Sequence, residues 1–131
     1  MKYLLDVNVL IALAHQDHAD HRKVSLWFRS VASGAAEFNT CAITELGFAR
    51  VSVQAGLENT VESARKTLTD LQASSAVPFR LLADSLGIRD LPKFVKSPAQ
   101  LTDGHLLEVA RSVGARLVTL DKGIPGALLV V

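Results

Sequence analysis

Apolar residues come in short blocks along this chain, and the spacing inside the blocks switches between strand-like and helix-like patterns. Tyr3-Leu4-Leu5 gives way to Asp6-Val7-Asn8 and then to the run Val9 through Leu13, the order of a short buried strand, a turn and the opening of a helix. After Asp20, residues Val24, Trp27, Phe28 and Val31 fall on one face of an amphipathic helix that Ser33-Gly34 would close. Glu37-Phe38-Asn39-Thr40 is a second strand candidate. Ile43, Leu46, Gly47, Arg50 and Val51 then continue at helical spacing, with Glu45 in the first turn. Asn59-x-x-Glu62 has the form of a capping box ahead of the stripe Val61, Ala64, Leu68 and Leu71, with Pro78 as the stop.

Residues 79–97 carry the weakest pattern: Leu81-Leu82-Ala83 reads as a strand edge and Asp90-Leu91-Pro92 as a turn. Ser97-Pro98-x-Gln100 and Thr102-Asp103 are alternative starts for a helix whose inward face is Leu106, Val109, Ala110 and Val113, capped by Gly114. Ala115 to Leu120 is a strand ending at Asp121, and Ala127 to Val131 is a last short one. Strands and helices in alternation predict an α/β fold, a three-layer α/β/α sandwich with a mainly parallel central sheet and right-handed crossovers. No repeat, biased tract or Pro/Gly-rich linker interrupts the 131 residues, so residues 1–131 are expected to form one domain.

Composition narrows the picture. With 49% hydrophobic and 21% charged residues the chain has the balance of a folded globular protein and not of a disordered one. A formal net charge of +1 excludes a broad basic face, so any nucleic-acid site must be local. Cys41 is the single cysteine, which rules out an internal disulfide and a cysteine zinc finger and fits a buried thiol in a reducing cytoplasm. Asp6 and Asn8 break the first apolar run, so it does not read as a signal peptide, and no run approaches the ~20 apolar residues of a membrane span.

In an open parallel sheet, ligands bind beyond the carboxyl ends of the strands, where loops and helix N-termini converge. Asp6 and Asp121 end strands, while Glu45 and Asp103 open helices that should begin at the same edge, so all four acids are expected in one place. Glu45 and Asp103 taken singly are also explained by the helix macrodipole, worth ~0.3–1 kcal/mol, and Asp121 before Lys122-Gly123 by a turn. Asp6 has no such explanation: an unpaired carboxylate at the end of a buried strand costs several kcal/mol unless a cation or strong donors compensate. Together, four neighbouring acids raise one another's pKa, and a hard divalent ion relieves this. Mg²⁺ suits oxygen ligands and phosphate substrates, and at such a site it supports hydrolysis of a phosphodiester. Asn8 is placed to orient a water or a phosphate oxygen. Thr44, Thr102 and Thr119 either hold the acids through their hydroxyls or simply cap helices and turns.

Leu5-Asp6-Val7-Asn8-Val9-Leu10, Thr44-Glu45-Leu46, Thr102-Asp103-x-His105-Leu106-Leu107-x-x-Ala110 and Leu117-Val118-Thr119-Leu120-Asp121 resemble the four blocks of PIN-domain proteins, in particular the VapC-type toxins of bacterial toxin–antitoxin pairs. The resemblance implies an α/β/α fold and an endoribonuclease dependent on Mg²⁺ or Mn²⁺. It further implies a homodimer and a cognate antitoxin that inserts a segment near the active site. Asp6, Glu45, Asp103 and Asp121 match the family's acidic positions and Asn8 its polar position; Lys122-Gly123-Ile124 stands where many relatives carry a further acid, which bears on a second ion.

His15, His18 and His21 recur at every third residue but lack a fourth zinc ligand nearby, so they read as a polar loop. His105 either touches a phosphate or lies on the helix surface. Arg22, Lys23, Arg29 and Arg50 are either phosphate contacts or exposed helix charges. Trp27, Phe28, Phe38, Phe48 and Phe79 read as core or interface anchors, and a groove beside the Val24–Val31 helix would accept an antitoxin helix. Two rivals share these features: a Mg²⁺-dependent phosphohydrolase of haloacid-dehalogenase type, which wants an acid where Asn8 stands, and a non-catalytic RNA- or protein-binding module.

Overall fold

The computed structural model describes residues 1–131. The elements in chain order are β1 (Lys2–Leu5), α1 (Val7–Ala14), α2 (His21–Ala32), β2 (Glu37–Cys41), α3 (Ala42–Gln54), α4 (Val61–Ser74), β3 (Phe79–Leu82), α5 (Leu101–Ser112), β4 (Ala115–Thr119) and β5 (Leu128–Leu129). Short 3₁₀ turns cover Ile88–Asp90 and Pro98–Gln100. The five strands are ordered β3-β2-β1-β4-β5, and every neighbouring pair is parallel. The sheet is therefore wholly parallel, where a mainly parallel one was expected.

Alternation along β1 divides the core in two. Tyr3 and Leu5 face a cluster that includes Val9, Leu10, Val24, Phe38, Phe48, Ala64, Leu68 and Val118, drawn from α1 to α4 and the sheet. Leu4 faces the opposite way, against Cys41, Leu106, Leu107, Val109, Ala110 and Leu117, which places α5 alone on the second face and completes the three layers. Truncating a fully buried leucine such as Leu10 or Leu106 costs about 2–5 kcal/mol. The aromatics are core anchors: Phe38 stacks on Phe28 with ring centroids 4.1 Å apart, and Tyr3 meets Trp27 edge-on at 5.3 Å.

Several boundaries differ from the sequence expectation. In α3 the residues Ile43, Leu46 and Val51 are exposed, Leu46 to 65%; the helix instead buries Thr44, Gly47, Phe48 and Ser52. Gly47 makes that face usable, since a Cβ there would lie 2.7 Å from Cγ2 of Val7, so its absence lets α3 close onto α1. Thr60, not Asn59, caps α4, its hydroxyl accepting from the Ser63 amide at 3.0 Å. That helix ends at Ser74, well before Pro78. α2 ends on Ser33 in right-handed conformation, and Gly34 takes no positive φ. The two rival starts of the next helix act in series: Ser97 and Gln100 bracket the 3₁₀ turn, and α5 follows from Leu101. Gly114, at φ +70°, caps α5 as expected.

Candidate active site

Strand order reverses at β1. The chain proceeds from β1 outward to β2 and β3 on one side, while β4 and β5 lie on the other. Such a switch point opens a crevice at the carboxyl ends of the two central strands. Asp6 follows β1 and Asp121 lies two residues beyond β4. Because α5 leads into the parallel strand β4, its first turn, with Asp103, starts at the same edge.

A hollow of about 380 Å³ at this edge is lined by Asp6, Asn8, Asp103, Asp121 and Thr102, together with Gly47, Arg50 and His18. Asp6 is buried. Its Oδ1 accepts from the Val7 amide at 2.7 Å and its Oδ2 from the Thr119 hydroxyl at 2.8 Å. The Thr119 hydroxyl in turn accepts the Asp121 amide at 3.0 Å. Asn8 is spent on the same junction, its Oδ1 accepting from the Leu120 amide at 3.1 Å and its Nδ2 donating to Thr119 at 3.4 Å. Asp121 closes its own turn, Oδ1 accepting from the Gly123 amide at 2.8 Å. Asp103 has no hydrogen-bond partner and no ion pair.

The carboxylates sense one another. Burial, followed by repulsion from Asp6 and Asp121, pushes the Asp103 carboxyl above its ordinary 3.8. Burial chiefly raises Asp6 as well; the Thr119 and Val7 bonds oppose it, and Asp121 adds a further upward push. No three acidic, histidine or cysteine side chains converge closely enough to enclose an ion by themselves. The donor set nonetheless fits Mg²⁺, which is held through one or two carboxylates while retaining waters and reaching phosphate oxygens: Asp103 offers both oxygens, and Oδ2 of Asp121 is free of protein bonds.

Glu45 stands apart from this group. Its Oε2 accepts from the Thr40 hydroxyl at 2.6 Å and from the Gln72 amide at 2.9 Å. It lines a different hollow, of about 210 Å³, between α3 and α4. Three of the four acids thus line one hollow, and donors on β2 and α4 hold Glu45 at another. Thr44 holds no acid: its hydroxyl accepts the Cys41 amide at 2.9 Å and donates to the Cys41 carbonyl at 3.0 Å, capping α3. Thr102 lines the hollow without a hydrogen bond, and Thr119 is the threonine that holds Asp6.

The three early histidines go to separate partners and form no zinc set. Both ring nitrogens of His15 face acceptors, the Ile11 carbonyl and Glu58, at 2.9 Å each. His21 pairs with the Ala12 carbonyl at 2.8 Å. His18 reaches the acidic hollow. His105 neither points at that hollow nor lies free on the surface; it pairs with Asp84. His18 and Arg50 were not singled out as site residues by sequence: Arg50 had shared its signal with ordinary exposed helix cations, although its place three residues after Gly47 puts it on the helix face that meets α1.

An open parallel sheet with carboxylates at its switch point defines an α/β protein whose ligand site lies at the carboxyl ends of its central strands. No family model matches the chain. Among curated proteins it is 40% identical over 126 residues to Ribonuclease VapC38 of Mycobacterium tuberculosis, covering 92% of this chain and 86% of that protein. It is 34% identical over 138 residues to Ribonuclease VapC44 of the same species, covering 97% and 94%. Among solved structures, M. tuberculosis VapC20, described as a Sarcin-Ricin loop cleaving toxin, superposes with a TM-score of 0.65 at 13% identity over 93% of this chain and 92% of that one. VapBC2 of Rickettsia felis, bound to a DNA fragment from its promoter, gives 0.62 at 14% identity over 98% and 97%. The chain belongs to the VapC ribonucleases, the PIN-domain family whose sequence blocks it resembles.

Proposed function

We propose that this VapC ribonuclease is a toxin-type endoribonuclease that hydrolyses RNA phosphodiesters in the hollow lined by Asp6, Asp103 and Asp121, with Mg²⁺ as its ion and Mn²⁺ able to replace it. The observation that carries the reading is that three carboxylates with no cation paired to them line one hollow at the switch point, two of them pushed up by burial and by their acidic neighbours. A divalent ion bound there would relieve that repulsion and supply Lewis acidity to water and to the phosphate. Asp103 and Asp121 would hold it with their free oxygens, and Asp6 would fix the inner wall. Asn8 and Thr119 keep Asp6 and Asp121 in register. The phosphohydrolase alternative wants an acid at position 8, where an asparagine is already committed to the β4 junction.

The same reading includes a cognate antitoxin, homodimerisation and action in the cytoplasm; no helix is long and apolar enough to cross a membrane. A hollow of about 670 Å³ beside α2, lined by Arg22, Lys23, Leu26, Trp27, Leu129 and Val131, is the groove we assign to the antitoxin.

The test is cleavage of cellular RNA with Mg²⁺ or Mn²⁺, with and without chelator, by the native chain and by Asp103→Asn and Glu45→Gln. Activity that survives both chelation and Asp103→Asn would end the assignment. Calorimetric titration with Mn²⁺ should show a larger loss of affinity for Asp103→Asn than for Glu45→Gln, because Glu45 is tied to Thr40 and Gln72.

A further inference from the structure

An acidic pocket that works on a polyanion faces a conflict, because the carboxylates that attract a cation repel the flanking phosphates of the same RNA strand. Cations set beside the acids, but not neutralised by them, resolve it. The wall of the hollow contributed by α3 and the loop after α1 carries one such cation, Arg50, and beside it the imidazole of His18. Arg50 makes no ion pair, although other surface cations do: Lys23 with Asp20, Lys66 with Asp70 and Arg111 with Glu108. No cation contributes to the displacement of either Asp6 or Asp103, so the guanidinium is not spent on the carboxylates. On His18, Nδ1 accepts the Asp20 amide at 3.0 Å, which leaves Nε2 as the side of the ring free to donate to a ligand.

We propose that Arg50 and His18 bind the RNA phosphodiester next to the one being cut, holding the strand across the hollow while Asp6, Asp103 and Asp121 work on its neighbour. This rests on the nuclease reading above. The fold prepares the arrangement through Gly47, whose missing Cβ lets α3 press against α1; Arg50, one turn later on the same helix, is thereby carried to the edge of the acidic wall. A guanidinium suits the task, since its fork of donors matches phosphate oxygens and its charge does not depend on pH.

The experiment uses the full chain in an Asp121→Asn background, chosen to halt cleavage, and follows binding of a mixed-sequence pool of fluorescent single-stranded RNA oligonucleotides across a series of salt concentrations. Arg50→Ala is expected to weaken binding about tenfold and to flatten the plot of log affinity against log salt by about 0.7, the signature of one lost phosphate contact on single-stranded nucleic acid. His18→Ala should weaken binding severalfold, and Arg50→Lys should keep the slope while recovering part of the affinity. With Asp121 intact, Mn²⁺ affinity of the Arg50 and His18 variants should stay within about twofold of the native chain, as for side chains that touch phosphate and not the ion. Unchanged RNA affinity and slope in the Arg50→Ala/His18→Ala double variant would overturn the proposal. Parallel loss of Mn²⁺ binding would overturn it as well, because the pair would then be acting on the acids. Failure of the native chain to cleave RNA with Mg²⁺ or Mn²⁺ would instead sink the nuclease reading, and the salt slope would still report on Arg50.

Discussion

The hydroxyl of Thr119 donates to Oδ2 of Asp6 at 2.8 Å, joining residues 113 positions apart in sequence. It also accepts the Asp121 amide, so one buried hydroxyl fixes two of the three acids. Thr119→Val keeps the shape and removes the hydroxyl, which leaves the Asp121 amide without its acceptor and Asp6 without its one side-chain donor. The expected result is a loss of about 1–2 kcal/mol in stability and a fall of about 10–100-fold in RNA cleavage, the usual cost of removing a group that orients a ligand side chain. Thr119→Ser should restore most of both in denaturant titrations and cleavage assays.

The upward displacement of Asp103 and Asp6 fixes the sign of a pH effect. Below 3.8 both folded and unfolded chains carry the protons; as pH rises, the unfolded chain gives them up first, because the folded values lie higher. These two groups therefore remove stability from the metal-free protein as pH climbs through that window, and the penalty persists at neutrality. Asp103→Asn should raise the melting temperature of the metal-free protein at pH 7, while abolishing activity. A lower melting temperature than the native chain would contradict the account. Saturating Mg²⁺ should narrow the gap by stabilising the native chain, by about 2.7 kcal/mol at a hundredfold excess over Kd.

Glu58 behaves in the opposite sense. Its carboxylate accepts from Ser63, His15 and Thr67, tying the α3–α4 turn to the end of α1. The Ser63 bond above all, with those from His15 and Thr67, outweighs burial and holds the group below 4.5. The stabilisation is thus complete above 4.5 and is lost as pH falls through the lower folded value. Glu58→Gln should destabilise the chain at pH 7, and its difference from the native chain should shrink as the solution is acidified beneath the carboxylate range, read by urea midpoints at each pH.

Gly47→Ala sets a gain in helix propensity of about 1 kcal/mol against a methyl group 2.7 Å from Val7 Cγ2. Overpacking of this kind costs about 1–3 kcal/mol, so a net loss is expected, together with weaker RNA binding as Arg50 is pushed outward. Val7→Ala in the same chain should recover both. Recovery of stability alone would show that Arg50 does not depend on the α1–α3 contact.

The sequence displayed the alternation of strands and helices, and with it the edge to which Asp6, Asp103 and Asp121 belong, because position after a strand or at a helix start is a local property. Glu45 shows what local position leaves out: its backbone lies at the expected edge, but its carboxylate goes to Gln72, 27 residues away on another helix. The α3 stripe failed for a related reason. Ile43, Leu46 and Val51 are apolar at helical spacing, yet the contact with α1 selects the face bearing Gly47, whose value lies in the side chain it lacks. His105 likewise finds Asp84 in the irregular stretch before the 3₁₀ turns, where no periodicity signals a partner.

The bond between the first strand's acid and the last long strand's threonine has a consequence for when this chain becomes dangerous. β1 sits at the centre of the sheet, but its second neighbour, β4, is synthesised more than a hundred residues later. A chain translated only as far as β2 holds Asp6 but neither the Thr119 hydroxyl that braces it nor the other two aspartates of the hollow, so the acidic wall cannot assemble until the segment through Asp121 has been made.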